Sequence, residues 1–216
     1  MAKTAGVLGS GIVAQVLAAG LIKHGFEVMV GTRDTAKLAE WAKGAGKGAR
    51  LGSFAEAARH GGLVVLAVKG GAAAAALELA GAANLAGKVV IDACNPIADA
   101  PPEGGVLRFT TTLGSSLMEQ LQRQVPAARF VKAFSSVGNA HMVNPDFGGT
   151  RPTMFICGED AAAKAEVTAL LDAFGWEAAD MGGAVAARAI EPLCMLWCIP
   201  GFLRNEWGHA FKLLRR

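Results

Sequence analysis

The sequence predicts an α/β fold, a doubly wound and mainly parallel sheet with a small C-terminal helical extension. Three observations predict it. Apolar runs of strand length alternate with helical patterns through the first two thirds of the chain, as successive β-α-β units require. The runs LVVLAV and KVVIDA are apolar almost throughout, which suits strands covered on both faces by helices, because such a sheet has no wet side. A glycine-rich turn then joins the first strand pattern to the first helical one.

In chain order, the strands are expected at Thr4 to Leu8, Glu27 to Val30, Ala49 to Leu51, Leu63 to Val68, Lys88 to Asp92 and Arg129 to Ala133. Helices are expected between them at Ile12 to Lys23, Asp34 to Lys43, Ser53 to Ala58, Ala72 to Ala83 and Ser115 to Gln124. Gly25 reads as a stop signal after the first helix, and Ser53 with Glu56 as a capping box. Beyond residue 135 the pattern continues with a strand at Thr153 to Cys157, a helix at Asp160 to Phe174, a short strand at Glu177 to Asp180 and helical stretches from Val185 onward. Pro192 and Pro200 should break or kink that last region, because proline removes a helix donor. The expected organisation is a nucleotide-binding unit over 1–135 and a completing segment over 136–216.

Composition excludes several classes. The 216 residues are 52% hydrophobic and 18% charged, an ordinary globular balance. The net charge of +3 is mild and its basic residues are scattered, whereas a nucleic-acid surface shows a clustered stripe, so no nucleic-acid partner is expected. The longest apolar run, PLCMLWCIPGFL, falls short of the roughly 20 residues of a bilayer-spanning helix, so membrane insertion is not expected. Four cysteines without secreted-domain spacing, and no charged-then-apolar leader, suit a reducing cytoplasm.

The turn GVLGSGIVAQ carries Gly9, Gly11 and Ala14 in a G-x-G-x-x-A arrangement between strand and helix, the Rossmann-type dinucleotide signature. The first glycine permits a tight turn, the second lets backbone approach a pyrophosphate, and the small third residue lets helix and strand pack closely. Ser10, Ile12 and Val13 complete the loop and the helix N-terminus whose free N–H groups face the phosphates. In the stretch VGTRDTAK, Thr32 and Arg33 stand where a chain that grips NAD usually presents an acid to the ribose. A guanidinium, a hydroxyl and Lys37 four residues on would instead hold the 2′-phosphate of NADP. The alternative is that Asp34 is the ribose acid and Arg33 its solvated neighbour, although Asp34 also suits the N-cap of the next helix.

Further contacts should come from the carboxyl ends of later strands, where open α/β sheets place their crevice. These ends hold Ala67, Val68 and Lys69, then Asn95 and Pro96, then Ser135 and Ser136. Asn95 and the serines are the polar groups expected near a nicotinamide, although Asn95-Pro96 also reads as a plain turn and Lys69 as a rim charge. Of the four histidines, only His141 falls near the expected crevice, as a substrate-side group or a helix-surface residue. Cys194 and Cys198 lie one helical turn apart without a second ligand pair, so they read as core and no metal site is expected.

These residues resemble the deazaflavin-dependent NADP reductase family (coenzyme F420-dependent NADP oxidoreductases), whose relatives include the cytoplasmic oxidoreductase domain of membrane ferric reductases. The resemblance rests on GVLGSGIVAQ, VMVGTRD with Lys37, VVIDACNPI, VKAFSSVG and IEPLCMLWCIPGFLRNEW, and covers essentially the whole chain. It implies NADPH at the first two motifs, with Ser10, Thr32, Arg33 and Lys37 on the 2′-phosphate side. It also implies a flat second redox cofactor near the nicotinamide, deazaflavin or flavin, and a homodimer built on the C-terminal helices. Ser135 departs from the asparagine, histidine or other polar residue that relatives often carry after KAF, which leaves the acceptor less defined than the donor.

Hydride transfer between NADPH and such a ring asks little proton chemistry of the protein, in keeping with a chain that shows no nucleophile-base pair. The aromatic tail, with Trp197, Phe202, Trp207 and Phe211, suits a dimer interface first and a lid over a flat ring second. Two other readings share the motifs: an NADPH-sensing module without catalysis, and a reductase component passing hydride to flavin.

Overall fold

The structure, a computed structural model, describes residues 2–216. β1 (Lys3–Leu8) turns through Gly9 into α1 (Ile12–Lys23), and β2 (Phe26–Gly31) returns parallel to β1. A short 3₁₀ turn (Thr35–Leu38) and α2 (Ala39–Lys43) lead to the edge strand β3 (Arg50–Gly52), and α3 (Phe54–His60) crosses back to β4 (Leu63–Leu66) on the other side of β1. α4 (Gly70–Ala80), α5 (Ala82–Leu85), β5 (Val89–Asp92), α6 (Leu117–Gln124) and β6 (Arg129–Lys132) extend the sheet in that direction. The strand order is β3-β2-β1-β4-β5-β6, all parallel, so the winding reverses between β1 and β4. Such a reversal opens a crevice beyond the carboxyl ends of the strands.

The apolar runs are explained by two cores, one on each face. Ala5, Val7, Val28, Val30, Val65 and Ile91 point to α1, and to α7 introduced below, through Leu17, Leu21, Val167 and Leu171. Their alternates Leu8, Met29, Val64, Leu66 and Val90 point to α3, α4 and α6 through Ala57, Leu77 and Leu121. Strand side chains alternate between faces, so a sheet buried on both favours apolar residues at nearly every strand position.

The second part of the chain adds a parallel pair, β7 (Thr153–Ile156) and β8 (Glu177–Asp180), joined by α7 (Ala161–Ala173) and linked to β6 by one antiparallel bridge, Lys132 to Cys157. Core residues on both sides of position 135 share one cluster, Val131 and Ala133 with Met154 and Phe174. A 3₁₀ turn (Ala184–Ala186), α8 (Ala187–Ile190) and α9 (Leu193–Arg204) follow, and residues 205–216 fold back without regular structure. In that return the Trp197 ring stacks on His209 at 4.9 Å, Trp207 lies 5.6 Å from Trp197, and Phe202 meets Trp207 edge-on at 5.3 Å. Much of the aromatic cluster therefore packs within the chain.

Several expected boundaries move for physical reasons. The helix expected from Asp34 to Lys43 is split, with Asp34 capping a 3₁₀ turn before α2 begins. The helix expected at Ala72 to Ala83 starts at Gly70 and breaks at Gly81, whose φ of +81° lies outside helical space. Pro192 breaks the last helical region as expected, but Pro200 lies inside α9. The helical run is also longer than its apolar stretch suggested. Ala184 to Arg204 spans 21 residues at mean hydropathy 1.3, enough by length and composition to cross a membrane. Here that run is tied to the sheet by buried Glu191, which pairs with Lys132 of β6, and to α6 by the Arg188–Glu119 pair.

Candidate dinucleotide-binding site

A cavity of about 560 Å³ opens at the carboxyl ends of β1, β2, β4 and β5. The loop from Gly9 to Val13, Thr32, Arg33, Ala67, Val68, Lys69 and Asn95 line it, with Phe54, Ala76 and Leu79 as an apolar wall and Ile97, Ala98 and Asp99 on the far side. Gly9 adopts φ +134°, and an added Cβ would stand 2.2 Å from the Ala67 carbonyl oxygen, so this turn is closed to any side chain. Gly11 differs, since a Cβ there would meet nothing within 4 Å. Its lack of a side chain keeps space open on the cavity side.

Two helices aim their N-termini at this space, and neither is capped. α1 follows Gly11 and α4 follows Lys69, with no side-chain cap and no acid in the first turn of either. By contrast α3, α6 and α7 are capped by Ser53, Ser116 and Asp160. Unpaired N–H groups and the positive ends of both helix dipoles thus converge where a pyrophosphate would lie.

At the end of β2, the Asp34 Oδ1 atom accepts the Ala36 N–H at 3.0 Å and caps the following turn. The Thr32 hydroxyl is buried and engaged with the Asp34 backbone, donating to its carbonyl and accepting from its N–H, each at 3.2 Å. Arg33 is exposed at the cavity wall and makes no ion pair among the described residues. Lys37 lies on the exposed 3₁₀ turn and is not among the lining residues, so the α-helical spacing that brought it toward Arg33 does not apply.

The family profile described as NADP oxidoreductase, coenzyme F420-dependent, matches residues 4–96, which supply most of this cavity's lining. A crystal structure from Arthrobacter sp. FB24, assigned as an F420-dependent NADP reductase, is 36% identical, covers 100% of both chains and superposes with a TM-score of 0.91. The chain belongs to the coenzyme F420-dependent NADP oxidoreductase family. It is also 31% identical to rat metalloreductase STEAP3 over 92% of its own length, but spans only 38% of that longer protein. An imine reductase from Streptomyces aurantiacus shares the fold, at TM-score 0.67 and 19% identity over 93% of this chain and 63% of its own. The protein is therefore an NADP-dependent oxidoreductase.

The remaining residues expected at this oxidoreductase's site lie outside the cavity lining. Pro96 and Ser136 are buried, and Ser135 is 2% exposed. Two buried polar atoms there, Asn95 Oδ1 and Ser135 Oγ, have no hydrogen-bond partner among the described residues, while Asn95 Nδ2 donates to the Ser135 carbonyl at 2.8 Å. Buried polar groups are rarely left orphaned, and a ligand amide is one partner that would relieve them. His141 sits on a 3₁₀ turn (Asn139–His141) beside Phe147, at 5.0 Å, not at the cavity wall. Its short sequence distance from the crevice hid a change of face: the next turn residues run along α1, with Val143 against Gly20. Cys194 and Cys198 are buried with Trp197 and Leu107 in a separate apolar cluster.

Sequence reasoning missed one charged cluster of this family member. Lys132, fully buried at the end of β6, donates to Asp92 Oδ2 and Glu191 Oε1, each at 3.0 Å, and to the Cys94 carbonyl. Burial, the largest influence, pushes the Lys132 ammonium down, but the Asp92 and Glu191 carboxylates more than offset it and the net shift is upward. The neighbouring Cys157 thiol is pushed up to about 12 by burial, so it stays protonated. The signal was available: Asp92 and Lys132 are charged residues that end runs of apolar strand residues, Val89 to Ile91 and Phe130 to Val131.

Proposed function

We propose that this oxidoreductase transfers hydride between NADP(H) and a flat deazaflavin or flavin-type acceptor. The observation that carries the donor preference is the turn after β2, where Arg33 lines the cavity while the Asp34 carboxylate caps its own turn. A carboxylate would be needed to hold an unphosphorylated ribose, and a guanidinium suits its 2′-phosphate. In this reading the uncapped ends of α1 and α4 hold the pyrophosphate, Ser10, Ile12 and Val13 line its path, and Asn95 faces the nicotinamide carboxamide, with Ser135 behind it fixing its side chain through the backbone carbonyl. Phe54, Ala76 and Leu79 exclude water from the adenine side. Lys37 adds long-range attraction for the phosphate rather than a contact. Bound NADPH supplies a hydride from its nicotinamide ring, and the chain's task is orientation.

The cavity wall supports a ring acceptor. Its titratable side chains are Arg33, Lys69 and Asp99, and the last two are paired with each other at 3.6 Å on the exposed rim. None is a buried acid placed to deliver a proton, whereas a flavin or deazaflavin carries its own proton chemistry. Residues 1–135 supply the cofactor side and 136–216 complete the fold around it. The exposed apolar residues of the C-terminal run, Val185, Leu196 and Leu203, suit a homodimer interface. The four free cysteines suit a reducing, cytoplasmic setting. Ser136 and His141 are left with no contact to the cleft wall, so a role for them in acceptor binding depends on what the acceptor itself brings.

The test is NADPH oxidation by the purified chain with deazaflavin, flavin and no acceptor. Turnover with deazaflavin alone selects the first acceptor, and turnover with flavin alone selects a reductase component. Tight NADPH binding without turnover on either would replace the enzymatic reading with that of a sensor.

A further inference from the structure

Lys132 is buried, charged and unused by the chemistry above. We infer that Lys132, held between Asp92 and Glu191, is a positioning residue that fixes the turn from Asp92 to Pro96, and with it the nicotinamide end of the cleft, to the C-terminal helices. The inference rests on the NADP(H) reading of the cleft. An ammonium has three hydrogens to donate, and Lys132 has three acceptors: Asp92, Glu191 and the backbone carbonyl of Cys94. Asp92 ties the same residue a second time, its Oδ1 accepting the Cys94 N–H at 2.9 Å. Both polar backbone groups of Cys94 are thus held by charged partners, one residue before Asn95.

From there the constraint reaches the cleft. Asn95 lines it and donates to the Ser135 carbonyl, which draws together the turns after β5 and β6. On the opposite side Gly70, at the start of α4, lies so close that an added Cβ would stand 2.2 Å from the Asn95 carbonyl oxygen. The turn has no room to relax toward α4. The third partner, Glu191, also accepts the N–H groups of Leu117 and Met118 at 3.0 Å each, so it joins the start of α6 and the α8–α9 junction to the same lysine.

A buried ionic set of this kind adds little net stability over a well-packed apolar one, because desolvation offsets the attraction. What it does impose is geometry, since each charge must keep its partners. A second tie between α6 and α8, the two-pronged pair of Arg188 with Glu119 at 2.6 and 2.9 Å, lies in the same region but makes no bond to the turn. It provides a control for loss of stability alone.

The experiment measures dissociation constants of the full-length chain for NADPH and for 2′,5′-ADP, which carries the 2′-phosphate and adenosine but no nicotinamide, alongside melting temperature. Lys132→Met and Glu191→Gln should each weaken NADPH by roughly tenfold or more while 2′,5′-ADP stays within about twofold of wild type. Glu119→Gln should lower the melting temperature and leave both affinities in place. If Lys132→Met does not fold, Glu191→Gln, which keeps the side-chain volume, decides. The inference is overturned if the two ligands weaken together, if neither changes, or if Glu119→Gln alters their ratio as much. Wild-type protein that binds neither ligand overturns the NADP(H) reading itself, and the inference with it.

Discussion

Replacing Arg33 by alanine isolates the donor preference from the rest of the cleft. The guanidinium is exposed, and among the described residues it holds no acid, so its removal leaves no buried charge behind and should barely alter stability. A charge-assisted hydrogen bond to a phosphate contributes about 1.5 to 3 kcal/mol. Solvent exposure argues for counting one such bond rather than a full bidentate pair, which gives a loss of roughly 10- to 150-fold in NADPH affinity. Compensation from the neighbours is limited. Thr32 is engaged with the Asp34 backbone, and Lys37 stands on an exposed turn, where salt screens its attraction. NADH, without the 2′-phosphate, should bind wild type and variant alike. The assay is the ratio of NADPH to NADH affinity, or of kcat/KM, at one fixed ionic strength. A ratio that moves less than about threefold on Arg33→Ala, or a wild type that uses both donors equally, refutes the reasoning. Arg33→Asp extends it: the added carboxylate should repel the phosphate and invert the preference.

Other substitutions separate folding from binding. Gly9→Ala should lower the melting temperature, because φ +134° and a Cβ 2.2 Å from the Ala67 oxygen leave the new methyl no place. Gly11→Ala should leave melting unchanged, since its Cβ meets nothing within 4 Å, yet weaken NADPH by narrowing the phosphate path; equal effects of the two on melting would contradict this. Glu119 is held down to about 2, first by its hydrogen bond with Arg188 and then by its bonds with Ser116. A carboxylate with a depressed folded value stabilises above its unfolded value of 4.5 and loses that contribution as pH falls toward 2. Denaturant titrations between pH 5 and 2.5 should thus show a shallower loss of stability for Glu119→Gln than for wild type, and parallel curves would count against the pair. Leu196→Glu, on the exposed face of α9, should halve the mass seen by light scattering if that face joins two copies; an unchanged dimer would move the interface elsewhere.

How much of this was legible in sequence depends on whether the determining contacts are local. The parallel, doubly wound sheet is legible because burial on both faces dictates apolar runs, and the G-x-G-x-x-A turn marks its first β-α unit. The Asp34 cap was legible for the same reason, as its partner is two residues away. His141 lies off the cavity lining because the direction in which a turn leaves the sheet is set by tertiary packing, here Val143 on α1, and not by local residue types. The helical run from Ala184 exceeds its apolar stretch because Arg188 and Glu191 continue it and find their partners on other elements.

The Lys132 cluster shows the general form of what escapes. Asp92, Lys132 and Glu191 are 40 and 59 residues apart along the chain, and none belongs to a spacing motif. Each is still a local contradiction: a charge that ends a run of apolar strand residues, or one within an apolar helical run. A single buried charge is costly enough that it must find a partner, and three such contradictions in one chain satisfy each other most economically at one place. The strand ends are adjacent because β5 pairs with β6, placing Asp92 opposite Lys132 in register. That much could be paired from sequence once the strand order is accepted. Glu191 could not, since nothing before the fold itself says which strand end the α8–α9 junction will cover. The same reasoning marks where the C-terminal segment is held most firmly, at the carboxyl ends of β5 and β6, beside the turn that reaches the cofactor cleft.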